Sequence, residues 1–194
     1  QSQRIAKVAF DWAFRRRKKV TAVHKANVLT ISDGLFLREV RKVAKDYPDV
    51  ELDEKIVDAM AALLIRNPTQ FDCIVTTNMF GDILSDEASE ISGSLGLAAS
   101  TMAGDDACCA QAQHGAAPDI AGQDKANPTS LLLSAGMLLD WMGDRHKRRE
   151  FNDAARLLEK TVDAALQKPE TRTPDIGGKI GTQAFAKHIA DTIK

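Results

Sequence analysis

Of 194 residues, only three are cysteine, two tryptophan and one tyrosine. Cys73, Cys108 and Cys109 are too few and too unevenly placed for a disulfide framework, which predicts a reducing, cytoplasmic setting. The adjacent pair Cys108 and Cys109 lacks the second pair that a zinc site needs. No apolar run approaches the ~20 residues that cross a bilayer. The first stretch, QSQRIAKVAFDWAFRRRKK, has no apolar signal core followed by a small-residue cleavage site. These readings exclude a membrane partner. Net charge is −1, so no global field favours nucleic acid. The one basic run, RRRKK at 15–19, has no aromatic interleaving and reads as a solvated helix end. GxGxxG does not occur, which excludes a Rossmann fingerprint. Internal repeats, low-complexity tracts and flexible linkers are absent as well.

What is present is ordinary for a globular protein: 44% hydrophobic and 27% charged residues, enough for one domain or two small lobes. The pattern predicts a helix over 2–16, since Ile5, Val8, Ala9 and Trp12 keep a helical period. A buried strand follows at 20–23, ending at polar His24, Lys25 and Asn27. Helix is predicted over 34–47, stopped by Tyr47-Pro48, then a short strand at 49–52. The next helix is predicted over 53–68, with Asp53 as its N-cap. A strand at 73–76 leads into a helix over 79–92. Residues 101–126 read as loop with one short strand. Helices are then expected from Asn127 (N-cap) and Pro128 (first helical position), over 153–166, and over 182–193. Between the last two, TPDIGGKIGT is a turn-rich loop. Strands alternating with helices indicate an α/β protein. The strands are few, and the expectation is that a complete sheet needs strands outside these residues.

Three places can carry chemistry. Asp82 and Asp86 in TTNMFGDILSDEASE are four apart, so a helix stacks them on one face, where like charges cost a few tenths of a kcal/mol. Either that face is a solvated acidic surface, or a divalent cation sits between them. Mg²⁺ and Mn²⁺ take one or two carboxylates and leave positions for water and substrate oxygens. Asp58 in KIVDAM, after apolar Ile56 and Val57, is a candidate third acid. Lys25 ends a buried strand, the edge where open α/β sheets place active sites. It is either a surface lysine or a general acid/base. In HGAAPDIAGQDKANP, small residues let a backbone approach a ligand closely. Asp119, held by Pro118, could accept hydrogen bonds from two ribose hydroxyls and repel a 2′-phosphate. Alone, the segment reads equally as a turn-rich loop.

Taken together, VTAVHKANVLTISDGLF, IVTTNMFGDILSDEAS and HGAAPDIAGQDKANPTS resemble the isocitrate/isopropylmalate dehydrogenase family of metal-dependent β-decarboxylating enzymes. The resemblance covers nearly the whole chain. It implies a two-lobed α/β fold with a large mixed sheet and a homodimer whose active site lies between lobes and subunits. In this chain, residues 1–100 would be the central lobe with the dimer interface and metal/substrate site. Residues 101–194 would be the C-terminal part of the cofactor lobe. The resemblance assigns Asp82 and Asp86 to Mg²⁺ or Mn²⁺, Asp58 to the metal of the neighbouring subunit, and Lys25 to proton transfer across the interface. It places Asn27 beside the nicotinamide or substrate. His114, Gly115, Ala117, Asp119, Ile120 and Asn127 would hold the adenosine half of the cofactor. An acid at Asp119, where NADP-using relatives carry lysine, implies NAD. The implied reaction oxidises a small hydroxy acid and releases CO₂.

VHKAN followed by SDGLFL is closer to isocitrate and homoisocitrate dehydrogenases than to isopropylmalate enzymes, which usually carry Asp before the lysine; tartrate enzymes are further away. The family's N-terminal half, with its substrate-gripping arginines and catalytic tyrosine, is absent from these residues, and Tyr47 stands in the wrong context to replace the latter. AGDDACCAQAQHG also departs from the usual lead-in to the HG motif. The expectation is therefore an enzyme whose 194 residues are inactive alone, the alternative being a non-catalytic subunit that acts as a structural partner.

Overall fold

The computed structural model describes residues 1–193. Two compact units emerge, Gln1–Ala88 and Ser89–Lys194. The boundary between these compact units falls inside the helix over residues 78–91.

The first unit is built on a three-stranded parallel sheet of order β2-β1-β3. Helix α1 (Ser2–Phe14) buries Ala6, Phe10 and Ala13, spaced to share one face. It ends where the backbone N–H groups of Arg16 and Lys18 both donate to the Ala13 carbonyl. Strand β1 (Lys19–His24) has Val20 to Val23 fully buried. A strand buried on both faces reads as a continuous apolar run rather than an alternation. Helix α2 (Ser32–Ala44) buries Phe36, Leu37 and Val40 against the same core. Strand β2 (Glu51–Ile56) pairs with β1 from Lys19↔Glu51 to His24↔Ile56. Helix α3 (Val57–Arg66) follows directly, then β3 (Cys73–Val75), which pairs with β1 from Val20↔Cys73. Helix α4 (Asn78–Ile91) completes the unit and crosses into the next. Met60, Leu64, Phe71 and Leu84 form a second core with Val23. Each such side chain contributes about 1.5–3 kcal/mol on burial.

Asp53 is not a helix N-cap. It lies inside β2 opposite Thr21, and the helix starts at Val57. The segment ELDEKI is a polar edge strand whose charges are matched: Lys19 with Glu51 at 3.0 Å, Arg41 with Glu54 at 2.6 Å, and Lys55 with Asp53 at 2.7 Å. Parallel pairing outweighs the local helix-start signal.

In the second unit, β4 (Ala99–Ala103) and β5 (Cys108–Ala112) form an antiparallel hairpin. The sequence reading allowed one strand there; the structure has two. Parallel and antiparallel pairings thus lie in separate sheets. Helix α5 (Thr129–His146) holds the hairpin through buried serines. Ser134 Oγ accepts from Ser100 N–H at 3.0 Å, and Ser130 Oγ accepts from Gln113 N–H at 3.2 Å. Pro128, not Asn127, precedes the first helical residue, yet Asn127 Oδ1 still accepts the Thr129 N–H at 3.0 Å. Helix α6 (Arg149–Leu166) packs back on α5. A side chain at Gly143 would run into the Asn152 amide, so the close approach there needs glycine. Helix α7 (Thr182–Thr192) supplies Phe185 and Ile189 to a core with Val162 and Ala165. Among the described residues, no helix is long and apolar enough to cross a membrane.

Candidate functional site

The carboxyl ends of β2, β1 and β3 each deliver one of the predicted groups. Lys25 follows β1, Asp58 lies in the first turn of α3 after β2, and α4 after β3 carries Asp82 and Asp86. In parallel sheets this edge is where ligands bind.

The Lys25 turn is fixed by its backbone. The Lys25 N–H donates to Asp33 Oδ2 at 2.6 Å, and the Ala26 N–H to His24 Nδ1 at 3.0 Å. The Lys25 carbonyl accepts from Val28 and Leu29 at 2.9 and 2.8 Å. Asp33 is only 3% exposed. The Lys25 ammonium donates to Asp58 Oδ1, and this bond, with the backbone N–H of Asp58, holds the Asp58 carboxyl below the usual range. Lys25 and Asp58 therefore act as a pair. Asn27 is exposed two residues beyond.

Asp82 and Asp86 are both exposed on α4. Asp82 lies beyond the first turn, where the dipole has faded; it accepts instead from Asn78 Nδ2 at 3.2 Å. Met79 and Ile83, 61% and 60% exposed, share that helix with the acids. Thr76 Oγ1 donates to the Val23 carbonyl at 2.8 Å and ties the start of α4 to the end of β1. Among the described residues, no three His, Cys, Asp or Glu side chains gather closely enough to hold a metal, so Asp58 does not join Asp82 and Asp86 in one cluster. Two hard-oxygen donors one turn apart, open to solvent, suit a dication that takes its other ligands elsewhere.

The second unit holds a cavity of about 570 Å³. His114, Gly115, Ala117, Ile120 and Asn127 line it, five of the six residues predicted to act together. Asp119 is not in the lining; it is exposed on the turn Pro118–Ile120, where its carbonyl accepts from Gln123 Nε2 at 2.7 Å. Sequence reasoning missed Ser94, Gly96 and Asp175, which also line the cavity. Asp175 Oδ2 accepts from Ser94 Oγ at 2.6 Å and Asn127 Nδ2 at 3.0 Å, and Oδ1 from Thr173 Oγ1 at 2.6 Å. Partial burial pushes this carboxyl up, but the three donors and its own backbone N–H hold it below the ordinary value. The turn chemistry of TPDIGG marks a loop without saying what its acid faces. Asp33 was missed too, although an acid opening an apolar helix is a readable signal.

Tyr47, the one tyrosine, is a packing group. It stacks on Phe10 with ring centroids 5.2 Å apart and donates to Asp11 at 2.6 Å. Burial first, then Asp11, pushes its phenol up to about 12.

Comparison with known proteins gives a consistent picture. The sequence model of one family, isocitrate/isopropylmalate dehydrogenase, matches residues 1–193. A 3-isopropylmalate dehydrogenase of Sulfurisphaera tokodaii is 48% identical over 188 residues, which are 97% of this chain and 55% of that protein. An isocitrate/homoisocitrate dehydrogenase of Thermus thermophilus is 46% identical over 194 residues, 100% of this chain and 56% of the relative. The crystal structure of isocitrate dehydrogenase from Methylococcus capsulatus superposes with a TM-score of 0.91 at 44% identity, covering 99% of this chain and 56% of that one. The chain thus spans about half the length of the curated relatives it matches. Relatives named for different substrates stand at nearly the same identity, so overall likeness does not select among them.

Proposed function

Because the chain belongs to the isocitrate/isopropylmalate dehydrogenase family, we propose that it forms part of an NAD-dependent, Mg²⁺- or Mn²⁺-dependent dehydrogenase. That enzyme oxidises and decarboxylates a 2-hydroxy acid of the isocitrate type. The observation that carries this reading is the shared carboxyl edge of β2, β1 and β3, which brings forward Asp58, Lys25 and the acids of α4 from three separate segments. When bound, the dication supplies Lewis-acid polarisation of the substrate oxygens and NAD accepts a hydride.

The residues of this chain do the rest. Asp82 and Asp86 present hard carboxylate oxygens from one helical face. Lys25 Nζ, once it has passed one proton of its ammonium to water, takes the proton of the substrate hydroxyl, and Asp58 stabilises the ammonium that re-forms. Asp33 keeps the lysine backbone from drifting. Since Lys25 and Asp58 touch each other, they reach the same site, and we assign both to the neighbouring subunit of a homodimer. The cavity of the second unit receives the adenosine half of NAD, with Asp119 at its rim favouring the unphosphorylated ribose. Asn27 stands near the nicotinamide or substrate. The location is cytoplasmic.

The test is NAD reduction with Mn²⁺ and a panel of isocitrate, homoisocitrate, isopropylmalate and tartrate. It is run on this chain alone and on the chain joined to the portion of a relative that it does not span. The joined protein is expected to be active with one acid, the chain alone inactive, and Lys25→Ala silent in both. Inactivity of the joined protein with all four acids defeats the proposal. For the metal assignment, Asp82→Asn should weaken Mn²⁺ binding about tenfold or more; unchanged affinity removes it.

A further inference from the structure

We infer that Asp175 is the positioning residue of the second unit's cavity: one carboxylate that fixes two of its walls relative to each other. The inference rests on the reading of that cavity as the adenosine site.

Asp175 draws in three hydroxyl or amide groups from three segments. Ser94 precedes the turn Leu95–Leu97, Asn127 precedes α5, and Thr173 opens the Asp175 loop itself. Ser94, Asn127 and Thr173 are 8%, 6% and 0% exposed. Each is a buried polar group that would otherwise lack this partner, and burying an unpaired one is costly. The network continues outward. The Gly96 N–H donates to Ser94 Oγ at 3.0 Å, so Ser94 relays the carboxylate to the turn backbone. Asn127 is held at both ends, its amide nitrogen on Asp175 and its amide oxygen on the Thr129 N–H. That arrangement fixes the amide orientation, because a flip would put an oxygen against a carboxylate.

The consequence is local to the cavity. Ser94, Gly96 and Asn127 all line it together with Asp175. Without the carboxylate, the Leu95–Leu97 turn and the start of α5 lose their common anchor, and the spacing a flat ring needs between them is no longer set. Asp175 need not touch a ligand to do this.

The experiment measures binding of ADP-ribose and NAD to the protein by calorimetry, for wild type, Asp175→Asn and Val162→Ala. Val162 is fully buried in the core away from the cavity lining, so its truncation supplies a matched loss of stability. Thermal midpoints are recorded for each. We expect Asp175→Asn to weaken both nucleotides by about tenfold, the loss of one hydrogen bond to a charged group. Val162→Ala should lower the midpoint at least as far and leave the affinity within about twofold. Equal weakening in both variants would make Asp175 merely structural, and wild-type affinity in Asp175→Asn would refute the inference. Absence of binding by wild type would fell the adenosine reading itself, and this inference with it.

Discussion

Replacing Gly96 by alanine tests the cavity wall most directly. Gly96 has no left-handed backbone, so alanine carries no conformational penalty and the effect is steric alone. The new methyl would sit 2.7 Å from Asn127 Cβ, 3.2 Å from Asn127 Cγ and 3.1 Å from Asp175 Oδ2. Carbon atoms prefer about 3.5–4.0 Å, so Asn127 must retreat by about 1 Å. It cannot do so and keep its 3.0 Å bonds to Asp175 and to the Thr129 N–H, since about 4 Å is outside hydrogen-bond range. Overpacking costs about 1–3 kcal/mol, and a lost bond to a carboxylate about 1.5–3. Because relaxation trades one against the other, a net of about 2–4 kcal/mol is expected. For a unit of this size that lowers the thermal midpoint by about 10–20 °C. Calorimetry and urea denaturation read it, with Gly115→Ala as control. A methyl at Gly115 meets nothing within 4 Å but lines the cavity, so stability should hold within about 0.5 kcal/mol while ADP-ribose binding weakens. A Gly96→Ala midpoint within about 2 °C of wild type would refute the reasoning.

Other expectations follow from the same geometry. Asp72 is 1% exposed at its side chain and accepts from Arg16 Nε and from the Arg17 backbone, each at 2.9 Å. Burial pushes its carboxyl up, but these partners hold it below the ordinary value. A depressed folded value means that the stabilisation is full above the unfolded value of ~3.9 and is lost as pH falls through the folded one. Asp72→Asn should therefore cost about 1–3 kcal/mol at pH 7, and urea titrations should show the gap closing only in acid; a gap independent of pH would oppose this. Asp33→Ala should destabilise the first unit by about 1–3 kcal/mol by stranding the Lys25 N–H, and should cut turnover of the joined enzyme more than it raises KM. If NAD preference over NADP survives Asp119→Lys, Asp119 is not the discriminator.

Much of the first unit was legible because its signals are local. The buried run of β1, the spacing of α1 and the two acids of α4 each lie within about four turns of chain. The second part of strand ELDEKI, from Asp53 on, was read as a helix start because its acids mimic a cap, while the partner that extends the strand, β1, stands some thirty residues away. The hairpin was half missed for a similar reason. CCAQA has little β propensity and is held by α5, whose Ser134 donates to the Gln111 carbonyl at 2.7 Å. Five cavity residues were found together because one motif holds them. Asp175 was not, since its partners Ser94 and Asn127 lie 81 and 48 positions away.

The central place of β1 has a bearing on synthesis. Val20 pairs with Leu52 on one side and Cys73 on the other, so of these three strands the central one is made before both of its neighbours. At about 5–20 residues per second, a ribosome takes on the order of several seconds to deliver the second neighbour. Throughout that interval this mostly apolar strand keeps at least one bare edge, and a chaperone that shields residues 20–23 would have its greatest effect before residues 51–56 arrive.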